Sequence, residues 1–131
     1  MQNTPFRTWE VAVCGFICLL GLFVGGSLYI APATFIPGVD FSSSAVKTLT
    51  DMWAARQVAI AAIIGFSLLR KSVAMLQVSL VAYFLMTLQD IFIGVARSDV
   101  GLIAGSAFFC AVSVLLLWNL ARRPVPSTSR T

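Results

Sequence analysis

The chain has 131 residues, of which 59% are hydrophobic and 11% are charged, and its mean hydropathy is +0.93. A soluble domain has about 25% charged residues, so this composition excludes an ordinary soluble enzyme, and its high hydrophobicity also excludes intrinsic disorder. The net charge of +4 comes largely from cations at the edges of apolar runs, a pattern typical of the flanks of membrane spans and not of a nucleic-acid-binding face.

The first apolar run, from Val11 to Ala31, contains no charged residue and predicts a membrane helix over about residues 9–31. At about 1.5 Å per residue, this run crosses the ~30 Å hydrocarbon core of a bilayer. It is longer than the apolar core of a signal peptide, so we interpret it as a retained helix. Gly21 and Gly25, four residues apart, allow another helix to approach this one closely.

A long connection follows over residues 32–50, and it contains prolines, a glycine and a run of serines. We predict a loop there, with a short interfacial piece around Phe35 and Phe41. The second helix is predicted over residues 51–69, with Asp51 as its N-cap or as a residue of its first turn.

Residues 70–72 predict a tight turn, so the second helix and a third over residues 73–96 form an antiparallel hairpin. A fourth helix is predicted over residues 100–121, and the polar tail 122–131 is predicted to be disordered. These runs are too long and too continuously apolar for barrel strands. The predicted fold class is therefore all-α, an integral membrane four-helix bundle with up-down-up-down topology. The whole chain, residues 1–131, is predicted to form a single membrane domain.

The distribution of cations predicts the orientation in the membrane. The other side of the membrane carries three cations. The side that holds both termini carries six: Arg7, Arg70, Lys71, Arg122, Arg123 and Arg130. Cytoplasmic flanks of membrane spans carry an excess of lysine and arginine. We therefore expect a multi-pass protein of the bacterial inner membrane, with both termini in the cytoplasm.

Arg56 on the second helix and Asp90 on the third are the strongest candidates for a functional role. Measured from the hairpin turn, they lie roughly 22 and 28 Å along their helices, a difference that an arginine side chain can span. Ionisable residues at this depth are costly unless they are paired or face a wet cavity. Two interpretations stay open. In the structural one, the two residues form an ion pair that holds the hairpin together, or their side chains simply reach the outer surface. In the functional one, they anchor a ligand within a pocket.

A polar stripe on the third helix favours the pocket. Ser79, Tyr83, Thr87 and Asp90 follow one another at helical spacing, so they share one face, which should point away from lipid. Ordinary hydrogen bonding between helices is the alternative. We expect a cavity that opens toward the connection 32–50, and the candidate ligand-binding residues are Arg56, Gln57, Tyr83, Thr87, Gln89, Asp90 and Tyr29.

The layout of polar segments around these spans resembles a known family. Phe35-Ile36-Pro37-Gly38 follows the first span, Ala54-Ala55-Arg56-Gln57 opens the second, and Gln89-Asp90 closes the third. Over about residues 9–120, this layout resembles the DoxX-like superfamily of small four-helix membrane proteins. The resemblance implies a bacterial inner-membrane protein in which Arg56 and Asp90 are the polar pair.

We therefore expect a binding or accessory protein that holds an apolar small molecule, such as a quinone, isoprenoid or sterol-like lipid, in a polar pocket of the outer half. One alternative is a membrane enzyme, an isomerase or oxidoreductase partner, with Asp90 as the acid–base group and Arg56 stabilising an oxyanion. Another is a structural subunit. The expected partners are the bilayer, the small molecule and a membrane protein or second copy, but no nucleic acid. With no histidine and no Cys-x-x-Cys, we expect no metal and no cofactor.

Overall fold

The computed structural model describes residues 6–122, and the chain divides into two compact units, the first ending at Ser79 and the second beginning at Leu80. The predicted all-α class is confirmed, because the described residues contain helices and no strand. The prediction of one membrane domain stays a prediction. In chain order, the helices are α1 (Thr8–Ile30), α2 (Pro32–Phe35), α3 (Ser44–Leu69), α4 (Val73–Arg97) and α5 (Val100–Ala121).

Four of the helices, α1, α3, α4 and α5, are long and apolar enough to cross a membrane. Their most apolar stretches have mean hydropathies of 1.6 to 2.4. Large apolar side chains such as Leu19, Val78 and Phe108 are exposed on them, an arrangement that suits lipid and not water. By the length and composition of its helices, this is a multi-pass membrane protein.

The second predicted span begins seven residues earlier than expected, at Ser44 and not at Asp51. Its N-cap, Ser43, is extended, and the helix runs through the polar residues that follow, whose hydroxyl groups donate to carbonyl oxygens of the same helix. Thr48 Oγ1 lies 2.8 Å from the Ser44 carbonyl oxygen, and Thr50 Oγ1 lies 3.0 Å from the carbonyl oxygen one turn before it. The second half of the predicted loop is therefore helical. The other three predicted spans agree with the structure to within one residue at each end.

In the first unit, α1 packs closely against α3 at the two predicted glycines. A Cβ atom at Gly21 would lie 2.9 Å from Ala61 Cβ. A Cβ atom at Gly25 would lie 2.6 Å from Val58 Cγ2 and 3.1 Å from the Ala54 carbonyl oxygen. Later residues of α1 face earlier residues of α3, so the two helices are antiparallel, and the predicted close approach is confirmed.

The turn between α3 and α4 is as tight as predicted. Lys71 adopts a left-handed conformation, with φ of 51°. On either side of it, within the first unit, the hydroxyl oxygens of Ser67 and Ser79 are 3.1 Å apart. The end of α3 and the beginning of α4 therefore lie side by side and run in opposite directions.

In the second unit, α4 and α5 form another antiparallel pair. A Cβ atom at Gly94 would lie 2.8 Å from Ile103 Cγ1, which shows how closely the two backbones approach. Asp99 is the N-cap of α5, and its carboxylate accepts a hydrogen bond of 3.0 Å from the Leu102 amide. Within each unit, consecutive long helices therefore run in opposite directions.

Cations follow the last turns of α3 and α5. The guanidinium carbon of Arg70 lies 6.0 Å from the centre of the Phe66 ring, and that of Arg122 lies 4.3 Å from the centre of the Trp118 ring. Positive charge is favourable at the carboxyl end of a helix and over an aromatic face. Apart from Arg122, the tail predicted to be disordered lies outside the described residues.

Candidate functional site

The seven predicted ligand-binding residues are divided between the two units. Because of this division, the predicted pair of Arg56 with Asp90, and the cavity that both were predicted to line, stay predictions. The first unit holds Tyr29, Arg56 and Gln57, and the second unit holds Tyr83, Thr87, Gln89 and Asp90.

The polar stripe of α4 is buried, as predicted. Tyr83, Thr87 and Asp90 are 8%, 4% and 7% exposed, whereas Gln89 is exposed and lies off the stripe. The Thr87 hydroxyl donates to the Phe84 carbonyl oxygen over 2.9 Å, so its proton is used within its own helix. A carboxylate buried in a membrane-length helix is costly and is retained for a structural or functional reason. Asp90 is therefore the most informative residue of the stripe.

The aromatic ring of Tyr83 has a packing role within the second unit. It meets the ring of Phe109 edge to face, with their centres 6.2 Å apart. Such pairs contribute beyond simple burial of apolar area. The Tyr83 ring is therefore part of the contact between α4 and α5.

On α3, the neighbouring residues Arg56 and Gln57 are both half-buried. The Cβ atom of Gln57 lies 3.3 Å from the position that a Cβ atom at Gly25 would take. The stem of Gln57 therefore belongs to the close contact between α1 and α3, which is a packing role.

A partly open cavity of about 270 Å³ lies in the first unit, where α1 ends and α3 begins. We call it the α1–α3 cavity. Its lining combines apolar side chains with two side chains of opposite charge. The apolar wall consists of Leu28, Ile30, Pro32 and Phe41, and the polar lining consists of Tyr29, Lys47, Thr50 and Asp51.

Local contacts fix the two segments that contribute Pro32 and Phe41 to the lining of this cavity. Pro32 begins α2, and the Phe35 ring at the other end of α2 meets the Phe23 ring of α1 edge to face, with centres 6.3 Å apart. In the loop that follows, the Asp40 carboxylate accepts hydrogen bonds of 2.9 Å from both the backbone N–H and the hydroxyl of Ser42. Phe41, between these two residues, therefore has a defined place in the cavity wall.

The charged lining comes from the first turns of α3. Lys47 and Asp51 are one helical turn apart on the same face. Thr50 is 6% exposed, and its hydroxyl proton is already donated to the Val46 carbonyl oxygen. The ammonium group of Lys47 and the carboxylate of Asp51 are thus the charged groups that can recognise a ligand here, beside the hydroxyl of Tyr29.

The α1–α3 cavity lies at the end of the molecule where a cavity was predicted, but its lining is different. Of the seven predicted residues, only Tyr29 contributes to it. Lys47 and Thr50 were missed because the sequence interpretation assigned residues before 51 to a loop, and Asp51 was given only a role at the start of the second helix. Lys47 follows the N-cap Ser43 by four residues, and Thr50 and Asp51 follow Lys47 by three and four, a helical spacing that could have found them.

A second, shallow depression in the second unit has a different character. Its surface is almost entirely apolar, which suits a lipid chain or another apolar helix but offers no group to recognise a polar head. Its lining consists of Ile91, Ala107, Cys110, Ala111, Val114 and Leu115.

Within residues 6–122, no group of three or more histidine, cysteine, aspartate or glutamate residues is placed to hold a metal ion. No family model matches the chain, and neither a curated protein nor a solved structure matches it.

Proposed function

We propose that this small multi-pass membrane protein binds an amphipathic small molecule in the α1–α3 cavity and acts as a binding or accessory protein. The observation that carries the proposal is the mixed lining, in which apolar side chains and two side chains of opposite charge share one cavity. Ligand pockets typically combine apolar walls with a few placed polar groups. The ligand would lay an apolar chain or ring against Leu28 and Ile30 and present its polar head to Lys47 and Asp51.

The proposal places the cavity at the extracytoplasmic side of a bacterial inner membrane. It rests on the excess of cations at the two termini and at the turn between α3 and α4. A reporter enzyme that is active only outside the cytoplasm, fused after Thr131, should be inactive. Activity of that fusion would reverse the orientation and place the cavity at the cytoplasmic side. The assignment of the chain to the DoxX-like superfamily, which rests on the sequence resemblance alone, is part of the same proposal.

A membrane enzyme is a second candidate, and the burial of Asp90 favours it. A carboxyl group that is 7% exposed within a membrane-length helix is suited to hold or transfer a proton. On this hypothesis, Asp90 is the acid–base group and Tyr83 lies two turns before it on the same face of α4. Replacement of Asp90 by Asn, which removes the acid–base group but keeps the size of the side chain, should then abolish catalytic turnover.

The binding proposal can be tested by native mass spectrometry of protein extracted from membranes, with and without added quinone, isoprenoid or phospholipid. Thr50→Phe adds a bulky ring inside the α1–α3 cavity and should reduce the fraction of protein that carries a bound molecule. Leu49→Phe is the matched control, because Leu49 is 67% exposed and does not line the cavity. Absence of any bound molecule on the wild-type protein would contradict the proposal and favour a structural subunit.

A further inference from the structure

The order of charges along α3 narrows the chemistry of the ligand. We propose that the α1–α3 cavity binds a single-chain lipid whose head ends in a phosphate group and carries a free hydroxyl group nearer to the chain. This inference rests on the proposed function and specifies its ligand class. A monoacylglycerol phosphate has these features.

Lys47 and Asp51 occupy different depths. Lys47 lies in the first turns of α3, near its Ser44 end, and Asp51 follows about 6 Å further toward the middle of the span. A head that enters from the aqueous side with its anionic group outermost meets Lys47 with that group. A hydroxyl group one step closer to the chain then donates to the Asp51 carboxylate, and hydrogen bonds to charged groups are the strong ones.

The same order disfavours other common heads. A phosphoethanolamine head can place its phosphate at Lys47 in the same register, but its ammonium group lies just beyond the phosphate and offsets the phosphate's negative charge. The attraction to Lys47 is then weaker than for a terminal phosphate, which carries more negative charge. A diacyl phosphatidate keeps the outer phosphate but has no free hydroxyl group for Asp51.

Local helix stability does not explain these two residues. A lysine near the amino end of a helix faces the positive end of the helix dipole, which is unfavourable. A lysine four residues before an acidic residue is also the weaker of the two orders for a pair within one helix. Lys47 and Asp51 are therefore poorly placed to stabilise α3 but well placed to bind a ligand with a matching order of groups.

The size of the cavity favours a single chain. Its volume of about 270 Å³ is just below the range of about 300–1,000 Å³ that is usual for small-molecule pockets. Its apolar lining comes from four residues, Pro32 and Phe41 among them. This space suits a small head and the first carbons of one chain, and the rest of the chain would continue along the exposed apolar surface of α1.

The test compares three lipids with the same oleoyl chain, titrated into the purified protein and followed by native mass spectrometry. They are the monoacylglycerol phosphate, its 2-deoxy analogue and the monoacylglycerol phosphoethanolamine. The first should bind the wild-type protein about tenfold more tightly than its deoxy analogue, the worth of one hydrogen bond to a charged group. It should also bind more tightly than the phosphoethanolamine lipid.

Variants separate the two contacts. Asp51→Leu should remove the preference for the hydroxyl group, so that the monoacylglycerol phosphate and its deoxy analogue bind equally. Lys47→Gln should weaken both by a similar factor and leave their ratio unchanged. Lys71→Gln is the control, since Lys71 is an exposed lysine at the other end of α3, and it should change neither affinity.

Equal binding of the hydroxyl and deoxy lipids to the wild-type protein would overturn the inference, whatever the variants do. If binding of these lipids is still blocked by Thr50→Phe, the proposed function survives that outcome. Tighter binding of the phosphoethanolamine lipid would show that the argument from charge order is wrong. If no lipid or quinone binds at all, the proposed function itself fails.

Discussion

The Asp40 carboxylate accepts two hydrogen bonds from a single residue, one from the Ser42 backbone N–H and one from the Ser42 hydroxyl, each 2.9 Å long. Together they close a turn around Phe41, which forms part of the wall of the α1–α3 cavity. A polar turn outside the membrane span thus positions an apolar side chain next to the span. Because protonation of the Asp40 carboxylate weakens both hydrogen bonds, the stability of this turn depends on pH.

The two donors of Ser42, the backbone N–H first and the hydroxyl second, hold the pKa of Asp40 below its usual value. A carboxyl group with a lowered folded-state pKa stabilises the turn at neutral pH, and that contribution disappears as the pH falls through the lowered pKa. Ser42→Ala should raise the pKa of Asp40 toward, but not fully to, about 3.9, measured by NMR titration of labelled carboxyl carbons. Ser43→Ala should leave the pKa unchanged, and an equal rise there would contradict the assignment of the donor.

Gly25→Ala should destabilise the protein by about 1–3 kcal/mol, because the added methyl group would overlap Val58 and approach the Ala54 backbone. Gly26→Ala is the control: a Cβ atom there meets nothing within 4 Å, and alanine is the better helix former by up to about 1 kcal/mol. Thermal unfolding in one detergent compares the two variants. Equal midpoints would show that α1 and α3 are not in close contact at Gly25.

Asp99→Ala should cost about 1 kcal/mol, because it leaves the Leu102 amide without its side-chain acceptor at the start of α5. The N-cap of α3 offers a matched comparison, since the Ser43 side chain makes no capping hydrogen bond. Ser43→Ala should therefore change the free energy of unfolding much less, when both are measured by denaturant titration. A larger loss for Ser43→Ala would reverse the assignment of the two caps.

The ion pair predicted from the sequence between Arg56 and Asp90 is open to a double-mutant cycle. If the two residues pair, Arg56→Ala or Asp90→Ala alone leaves one charge without its partner, and each should cost about 3–5 kcal/mol. The double variant should cost less than the sum of the two. Arg97→Ala, which removes an exposed cation, serves as the control and should cost little. Additive losses would show that Arg56 and Asp90 do not interact.

The sequence by itself predicted the four membrane helices, because a span needs about 20 apolar residues and its backbone hydrogen bonds lie within the segment. It also predicted the role of Gly21 and Gly25, since only small residues allow two helices to approach closely in lipid. The burial of the stripe with Tyr83 and Thr87 followed from helical spacing. These features depend on residues close together in the chain.

The beginning of α3 and the lining of the α1–α3 cavity could not be obtained in the same way. A search for apolar runs detects only the part of a helix that lies in hydrocarbon, so the polar turns from Ser44 to Thr50 were taken for a loop. The Thr48 and Thr50 hydroxyl groups donate to carbonyl oxygens one turn back, so these polar side chains find their partners within the helix. The meeting of Phe41 and Lys47 with the end of α1 depends on how the chain reverses after Pro32. Only tertiary structure decides this, because contacts between residues far apart in the chain have no local periodicity to reveal them.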